Sequence, residues 1–261
     1  MNREDYLMKT FPLQDGTTYI QNIDKHMEYK LLAENRFGKY IIPKDIDYTF
    51  TAQTILDGYV HEPSTIEYIL SIGGTIIHAG TGFGDFLPAL KNLNKVYAYE
   101  ANKLMYECAK DTIELNNITN TELNHMALGP DDTFALINSK DEDGRQMGPR
   151  SEIALYGFKE DYESHPDEEI IHMTKLDTLF PDNSSKIDLI HLDLEGFERY
   201  ALNGAHNLIN RDKPIIILEI HDNPIAHNDY MKNLGYKPIK QLIHNSNENM
   251  VFVNAVYKFI E

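Results

Sequence analysis

Tryptophan is absent from this chain, and cysteine occurs once in 261 residues, at Cys108. One thiol cannot close an internal bridge, which excludes a disulfide-stapled secreted scaffold. Cys108 lies near Leu104, Met105 and Ala109 at helical spacing and reads as a core residue in a reducing compartment. Long apolar runs are missing too. Nothing approaches the roughly 18 residues that a membrane-spanning helix needs, and the opening MNREDYLMKT lacks the apolar stretch of a secretory signal. A soluble, cytoplasmic protein with no membrane partner is expected. Positive charge is scarce: 24 lysines and arginines face 41 aspartates and glutamates, a formal net charge of −17. Such a chain repels phosphate backbones and shows no local basic patch, so nucleic acid is not an expected partner. The acidic runs Asp141–Asp143 and Glu160–Glu169 read as solvated loops. Repeats and low-complexity tracts are lacking, and nothing indicates an oligomer. The length suits one large domain or a domain with an appendage.

What the chain does have is an α/β pattern centred on residues 187–220. Ile187 to Leu194 and Pro214 to Ile220 are apolar runs that read as buried strands. Between them Phe197, Ala201, Leu202, Ala205, Leu208 and Ile209 share one helical face, so Phe197 to Ile209 reads as the crossover helix of a right-handed parallel unit. Ligands of an open parallel sheet bind beyond the carboxyl ends of its strands. Asp193 and Glu195 finish the first run, and Glu219, His221 and Asp222 the second. Either Asp193 or Glu195 could instead cap the helix that follows.

The same alternation runs upstream. A helix is expected from Glu62 to about Ser71, strands over Thr75–Ala79, Lys95–Tyr99 and Thr121–Met126, and a helix capped by Asn102. Thr133–Asn138 and Ile170–Leu176 look like an added antiparallel pair around a long polar loop, an insertion spanning about residues 130–176. Pro224–Leu234 reads as a helix closed by Gly235, followed by strands over Tyr236–Ile239 and Met250–Tyr257 that make the sheet mixed. Residues 1–61 do not fit. Met27, Leu31, Leu32 and Phe37 suggest a helix within Asp24–Phe37, Tyr40–Phe50 looks irregular, and the segment reads as a lobe packed beside the 62–261 domain.

The segment HAGTGFGD, His78 to Asp85, joins a strand to a helix. Its glycines let backbone approach a ligand, and N–H groups at a helix start favour an anion. The spacing is GxGxG, not the GxGxxG of nicotinamide and flavin enzymes. Glu100 ends the next strand, where a carboxylate can accept hydrogen bonds from both ribose hydroxyls of an adenosine ligand. Asp85 could cap the helix or meet a ligand ammonium, and His78 on its buried strand reads by default as a core residue.

From about Glu62 to Tyr257 the chain resembles the FkbM-type family of S-adenosylmethionine-dependent methyltransferases. The resemblance rests on HEPST, HAGTGFGD, YEAN, KLDTLF, IDLIHLDLEGFERYALNGA and IIILEIH. It implies a Rossmann-like, three-layer α/β/α fold whose mostly parallel seven-stranded sheet ends in an antiparallel hairpin. It also implies that Gly80, Gly82 and their neighbours Thr81 and Phe83 hold the methionine end of S-adenosyl-L-methionine. Glu100, beside Ala101, would hold the ribose, Met126 and Ala127 the adenine edge, and Asp193 would sit near the methionine amine or the transferring methyl. Many relatives carry an acidic residue where His78 stands, so the cofactor amine is expected to meet His78 or, in its place, Asp85 or Glu62.

The expected activity is O-methylation of a sugar or natural-product hydroxyl, a small-molecule or carbohydrate acceptor. His221 is the first candidate base and Asp193 the second. A divalent metal held among His191, Asp193, Glu195, His221 and Asp222 is the chemical alternative, and no metal is assigned. Tyr156, Phe158 and Tyr162 either stack on a sugar or anchor their loop. The competing functions are a non-catalytic S-adenosylmethionine-binding module and an NAD-dependent oxidoreductase.

Overall fold

The computed structural model describes residues 9–12, 18–21, 30–141, 143–157, 169–220, 224–245 and 251–260. Strands β1 (Lys9–Pro12), β2 (Thr18–Gln21), β3 (Lys30–Asn35) and β4 (Gly38–Pro43) form an antiparallel sheet in chain order. The helix expected over Asp24–Phe37 is therefore a strand from Lys30 onward, and 22–29 lie outside the described residues. Pairing decides it: Leu31 and Leu32 sit opposite Ile42 and Ile41, whose β-branched side chains favour a strand. The segment read as irregular holds β4 and, after Pro43, the start of α1 (Phe50–Leu56), whose cap Thr49 accepts the Ala52 N–H.

Then follow α2 (Pro63–Ile72), β5 (Thr75–Ala79), α3 (Leu87–Leu90), β6 (Lys95–Glu100), α4 (Lys103–Leu115), β7 (Thr121–His125) and β8 (Ala127–Leu128). The insertion carries β9 (Thr133–Asn138), β10 (Glu152–Gly157) and β11 (Glu169–Thr174), and α5 (Leu176–Leu179) leads back to β12 (Leu189–Leu192). The chain ends in α6 (Glu198–Asn203), α7 (His206–Asp212), β13 (Ile215–Glu219), α8 (Pro224–Asn233), β14 (Tyr236–Asn245) and β15 (Val251–Phe259).

Seven strands form the main sheet in the order β14-β15-β13-β12-β5-β6-β7. β7, β6, β5, β12 and β13 run parallel, while β15 pairs antiparallel with both β13 and β14. This is a Rossmann-like methyltransferase fold, as expected. Strand order reverses between β5 and β12, the point where an open α/β sheet leaves a crevice.

Residues alternate between two buried faces. Ile77, Ala79, Ile190, Leu192, Ile216 and Leu218 meet Ala201, Leu202, Leu208 and Ile209 from α6 and α7. Ile76, Leu189 and Ile217 meet Ile66 and Ile69 of α2, Leu87 and Leu90 of α3 and Ala109 of α4. Met105 and Cys108, on another face of α4, pack against Leu31, Ile41 and Ile42 of the first sheet.

Two further details differ from expectation. The crossover read as one helix over Phe197–Ile209 is two, broken at Gly204, where a Cβ would lie 2.1 Å from the Gly129 carbonyl oxygen. The antiparallel pair in the insertion exists as β9 and β11 and grows into a sheet ordered β10-β9-β11-β8.

Candidate active site

The site forms where β5 and β12 end side by side. Asp193 N–H donates to the Ala79 carbonyl, 3.1 Å, and the next residue after β5 is Gly80 at φ +80°. A Cβ there would stand 1.6 Å from the Asp193 carbonyl oxygen, so only glycine lets the two loops touch. The Gly80 and Thr81 N–H groups both donate to the Tyr99 carbonyl, which folds the loop back onto β6. Glu100, 8% exposed, lies beneath it. Its carboxylate accepts the Gly82 and Asn102 N–H groups, each at 2.7 Å. The helix expected directly after the glycines starts only at Leu87 and is four residues long, so no long helix dipole points at the site, and the loop is shaped by its own N–H bonds to Tyr99, Thr81 and Glu100.

Two cavities meet here. A narrow one of about 50 Å³ is lined by Gly80, Glu100, Ala101, Met126, Ala127 and Phe197. A wide cleft of about 730 Å³ is lined by Tyr48, Phe50, Tyr59, Glu62, Asp85 and Glu219, among others. Gly80, Pro149 and Asp193 line both. The residues expected at the ribose and adenine thus face one cavity, and those expected at the amine face the other.

Six carboxyl groups line the wide cleft, Asp57 at its outer part and Glu62, Asp85, Asp193, Glu195 and Glu219, with Arg150 as the lysine-or-arginine counterpart among the lining residues. Oxygens of Asp193, Glu195 and Glu219 lie within 4.8 Å of one another, close enough to hold a cation together. Burial pushes Glu62 up to about 8, with the charge of Asp193 adding to it, and lifts Asp85 to about 7. Burial and then the neighbouring Glu219 raise Asp193 well above the usual range, and burial lifts Glu219 to about 7 against a hydrogen bond from Asp193. Asp193 and Glu219 share a proton at neutral pH. Glu62 and Glu195 both sit in left-handed backbone, φ 45° and 51°, a conformation non-glycine residues keep only where surroundings enforce it.

What enforces these positions was not evident from the sequence. Glu198, fully buried, accepts the Leu194 and Gly196 N–H groups through one oxygen and so shapes the turn that carries Glu195. Asn254 of β15 donates to the Glu62 carboxylate at 2.6 Å and to the Thr65 hydroxyl at 3.2 Å, and the Thr65 hydroxyl lies 2.9 Å from His244 Nε2. A polar residue inside the apolar run VFVNAVYKF was the available signal.

Other expected residues are placed elsewhere. Phe83 is fully buried among Leu31, Ile42 and Met105, and the buried Thr81 hydroxyl hydrogen-bonds within its loop, so neither side chain lines the cavities. His78 turns under the sheet, its Nδ1 2.9 Å from Nδ1 of His191, and both rings stack on Phe86. Burial holds His191 down at about 4 and His78 well below its usual range, so both are neutral. This removes His191 from the donor set weighed for a metal, because it faces His78 and not the cleft. His221, Asp222, Phe158 and Tyr162 lie outside the described residues, and the Tyr156 side chain is likewise not described.

A glycine-bearing loop at the switch point, an acidic residue ending the next strand and a carboxyl-lined cleft beside them characterise a Rossmann-like methyltransferase. A family model described as "Methyltransferase FkbM domain" matches residues 78–238, more than half of the chain. The chain belongs to the FkbM methyltransferase family. No curated protein matches it. Among solved structures, Trm5b from Pyrococcus abyssi aligns at TM-score 0.50 and 10% identity over 96% of this chain and 62% of its own. The methyltransferase FkbM from Methylobacillus flagellatus aligns at 0.48 and 13% over 79% of this chain, which spans 54% of that protein. TYW2 from M. jannaschii, in complex with AdoMet, aligns at 0.47 and 14% over 88% and 87%. Likeness at these identities speaks to fold alone.

Proposed function

We propose that the protein transfers the methyl group of S-adenosylmethionine to a hydroxyl of a sugar or other small-molecule acceptor. The observation that carries this reading is the junction of the two cavities at Gly80 and Asp193, with Glu100 in one and the carboxyl cluster in the other. The residues fit the cofactor. Gly80, bare of a Cβ and pressed on the Asp193 backbone, brings the loop to the junction of the two cavities, Glu100 offers a carboxylate for two ribose hydroxyls, and Met126 with Ala127 forms an apolar edge for adenine. A cofactor bearing a sulfonium and an ammonium answers the excess of buried negative charge.

When bound, the cofactor supplies a methyl group on a positively charged sulfur. The chain's residues do the rest. Backbone of the Gly80 loop and the Glu100 carboxylate fix the cofactor's orientation, and the wide cleft holds the acceptor in line behind the methyl, a positioning effect worth about 7–11 kcal/mol. Transfer would leave the electron pair of the carbon–sulfur bond on the cofactor's sulfur, so the chain's residues have to align the acceptor oxygen and take up its proton. The hydroxyl proton passes to the Asp193–Glu219 pair, of which Glu219 is lifted by burial to about 7. His221 remains a candidate for the same task from the adjoining β13 terminus. Tyr48, Phe50 and Tyr59 at the cleft give faces on which a sugar ring can stack.

The test is label transfer from methyl-labelled S-adenosylmethionine to a panel of glycosides and hydroxylated small molecules, scored with release of S-adenosylhomocysteine. One-to-one release and labelling of an acceptor oxygen are expected. Label found only on nucleic acid, or on an acceptor nitrogen, would overturn the acceptor class.

A further inference from the structure

We infer that Glu62, and not the strand-end position held by His78, is the anchor for the ammonium group of the methionine part of the bound cofactor. This rests on the cofactor reading above and adds the one residue that recognises the amino-acid end.

Glu62 is 3% exposed yet lines the wide cleft, together with Gly80, Asp85 and Asp193. It stands at φ 45° immediately before Pro63, which opens α2, and its carboxyl group meets Asn254 of β15. Asn254 grips one carboxylate oxygen at 2.6 Å, and Thr65, itself held by Asn254 and His244, braces Asn254 from behind. Every one of these partners is neutral. His244, whose Nε2 is 3.8 Å away, is kept uncharged by its own burial. A carboxyl so enclosed, with hydrogen bonds but no countercharge, keeps its proton in the ligand-free chain and ionises when a cation arrives from the cleft to pair with it.

Three of the competing carboxyl groups beside Glu62 are already committed. Asp193 and Glu219 hydrogen-bond to each other, and Asp85 accepts its own N–H and that of Phe86. His78 is absent from both cavities, since its ring pairs with His191 and stacks on Phe86 beneath the sheet. The amine is held from the opposite wall, by a residue tied to the last strand pair.

A ligand cycle tests it. S-adenosylhomocysteine and 5′-methylthioadenosine share the thioether nucleoside, and the second lacks the amino acid. Titration calorimetry of both ligands against the full chain and Glu62→Gln should show S-adenosylhomocysteine weakened at least about 30-fold and methylthioadenosine within about twofold. Glu62→Asp, which keeps the charge on a shorter arm, should recover part of the loss, and Asp85→Asn should leave the ratio of the two ligands near wild type. Equal weakening of both ligands, or a larger change in the ratio from Asp85→Asn, overturns the assignment while leaving the cofactor reading intact. Should Glu62→Gln fail to fold, the ratio measured with Glu62→Asp decides by the same criterion. Failure of the wild type to bind either ligand overturns both.

Discussion

His78 and His191 occupy directly opposed positions on the parallel strands β5 and β12, with their Nδ1 atoms 2.9 Å apart and their rings stacked at 5.0 Å. Since both are neutral, one imidazole must donate and the other accept, which fixes complementary tautomers. Replacing either one by leucine strands a buried ring nitrogen and should cost about 1–3 kcal/mol in urea unfolding. The double replacement should cost at least about 1 kcal/mol less than the sum of the singles, because it removes both partners together. Strict additivity would show that the pair contributes nothing as a pair.

Gly80→Ala should be severely destabilising. The added methyl would meet the Asp193 carbonyl, a backbone atom with no room to swing aside, and φ of +80° is itself unfavourable for alanine. A loss above about 3 kcal/mol is expected, or a protein that does not fold. Wild-type stability in denaturant would contradict the contact between the two loops.

The ligand-free protein should lose stability as pH rises from 6.5 to 8. Glu62 titrates at about 8 in the folded chain, and Asp85 and Glu219 at about 7, all above their ordinary values. In this window the unfolded chain has already released those protons and the folded chain still holds some, so stability falls with rising pH. His61 and His191, held down at about 3 and 4, are neutral in the folded chain but still partly protonated near pH 6.5 in the unfolded one, so they offset part of the fall at the lower end of the window. About one to two protons are involved at pH 7, a slope on the order of 2 kcal/mol per pH unit. Thermal unfolding across the window checks it, and Glu62→Gln should flatten the slope. A flat wild-type profile would show that these carboxyl groups are solvated.

The parts legible in the sequence are those that local pattern controls. Apolar runs that stop on carboxylates located β12 and β13 with Asp193 and Glu219, and the spacing from Gly80 to Glu100 located two residues that line one cavity. Long-range pairing was not legible. Leu31 and Leu32 have helical spacing with Met27, and only the opposing Ile41 and Ile42 make their segment a strand. Glu62 was named on resemblance, but its brace lies 192 positions away at Asn254. His78 was read as a core residue, and its partner could be identified only once β5 and β12 were in register.

The first measurement is calorimetric titration of the full chain with S-adenosylmethionine, S-adenosylhomocysteine and NAD in parallel, repeated with Glu100→Gln. The Glu100 carboxylate keeps its backbone partners Gly82 and Asn102 and has ribose hydroxyls still to accept, each such contact worth about 1.5–3 kcal/mol. Micromolar binding of both sulfur nucleosides, weakened at least about tenfold by Glu100→Gln, and no binding of NAD are expected. Binding of NAD alone, or sulfur-nucleoside affinity indifferent to Glu100, would contradict the methyltransferase reading of this site.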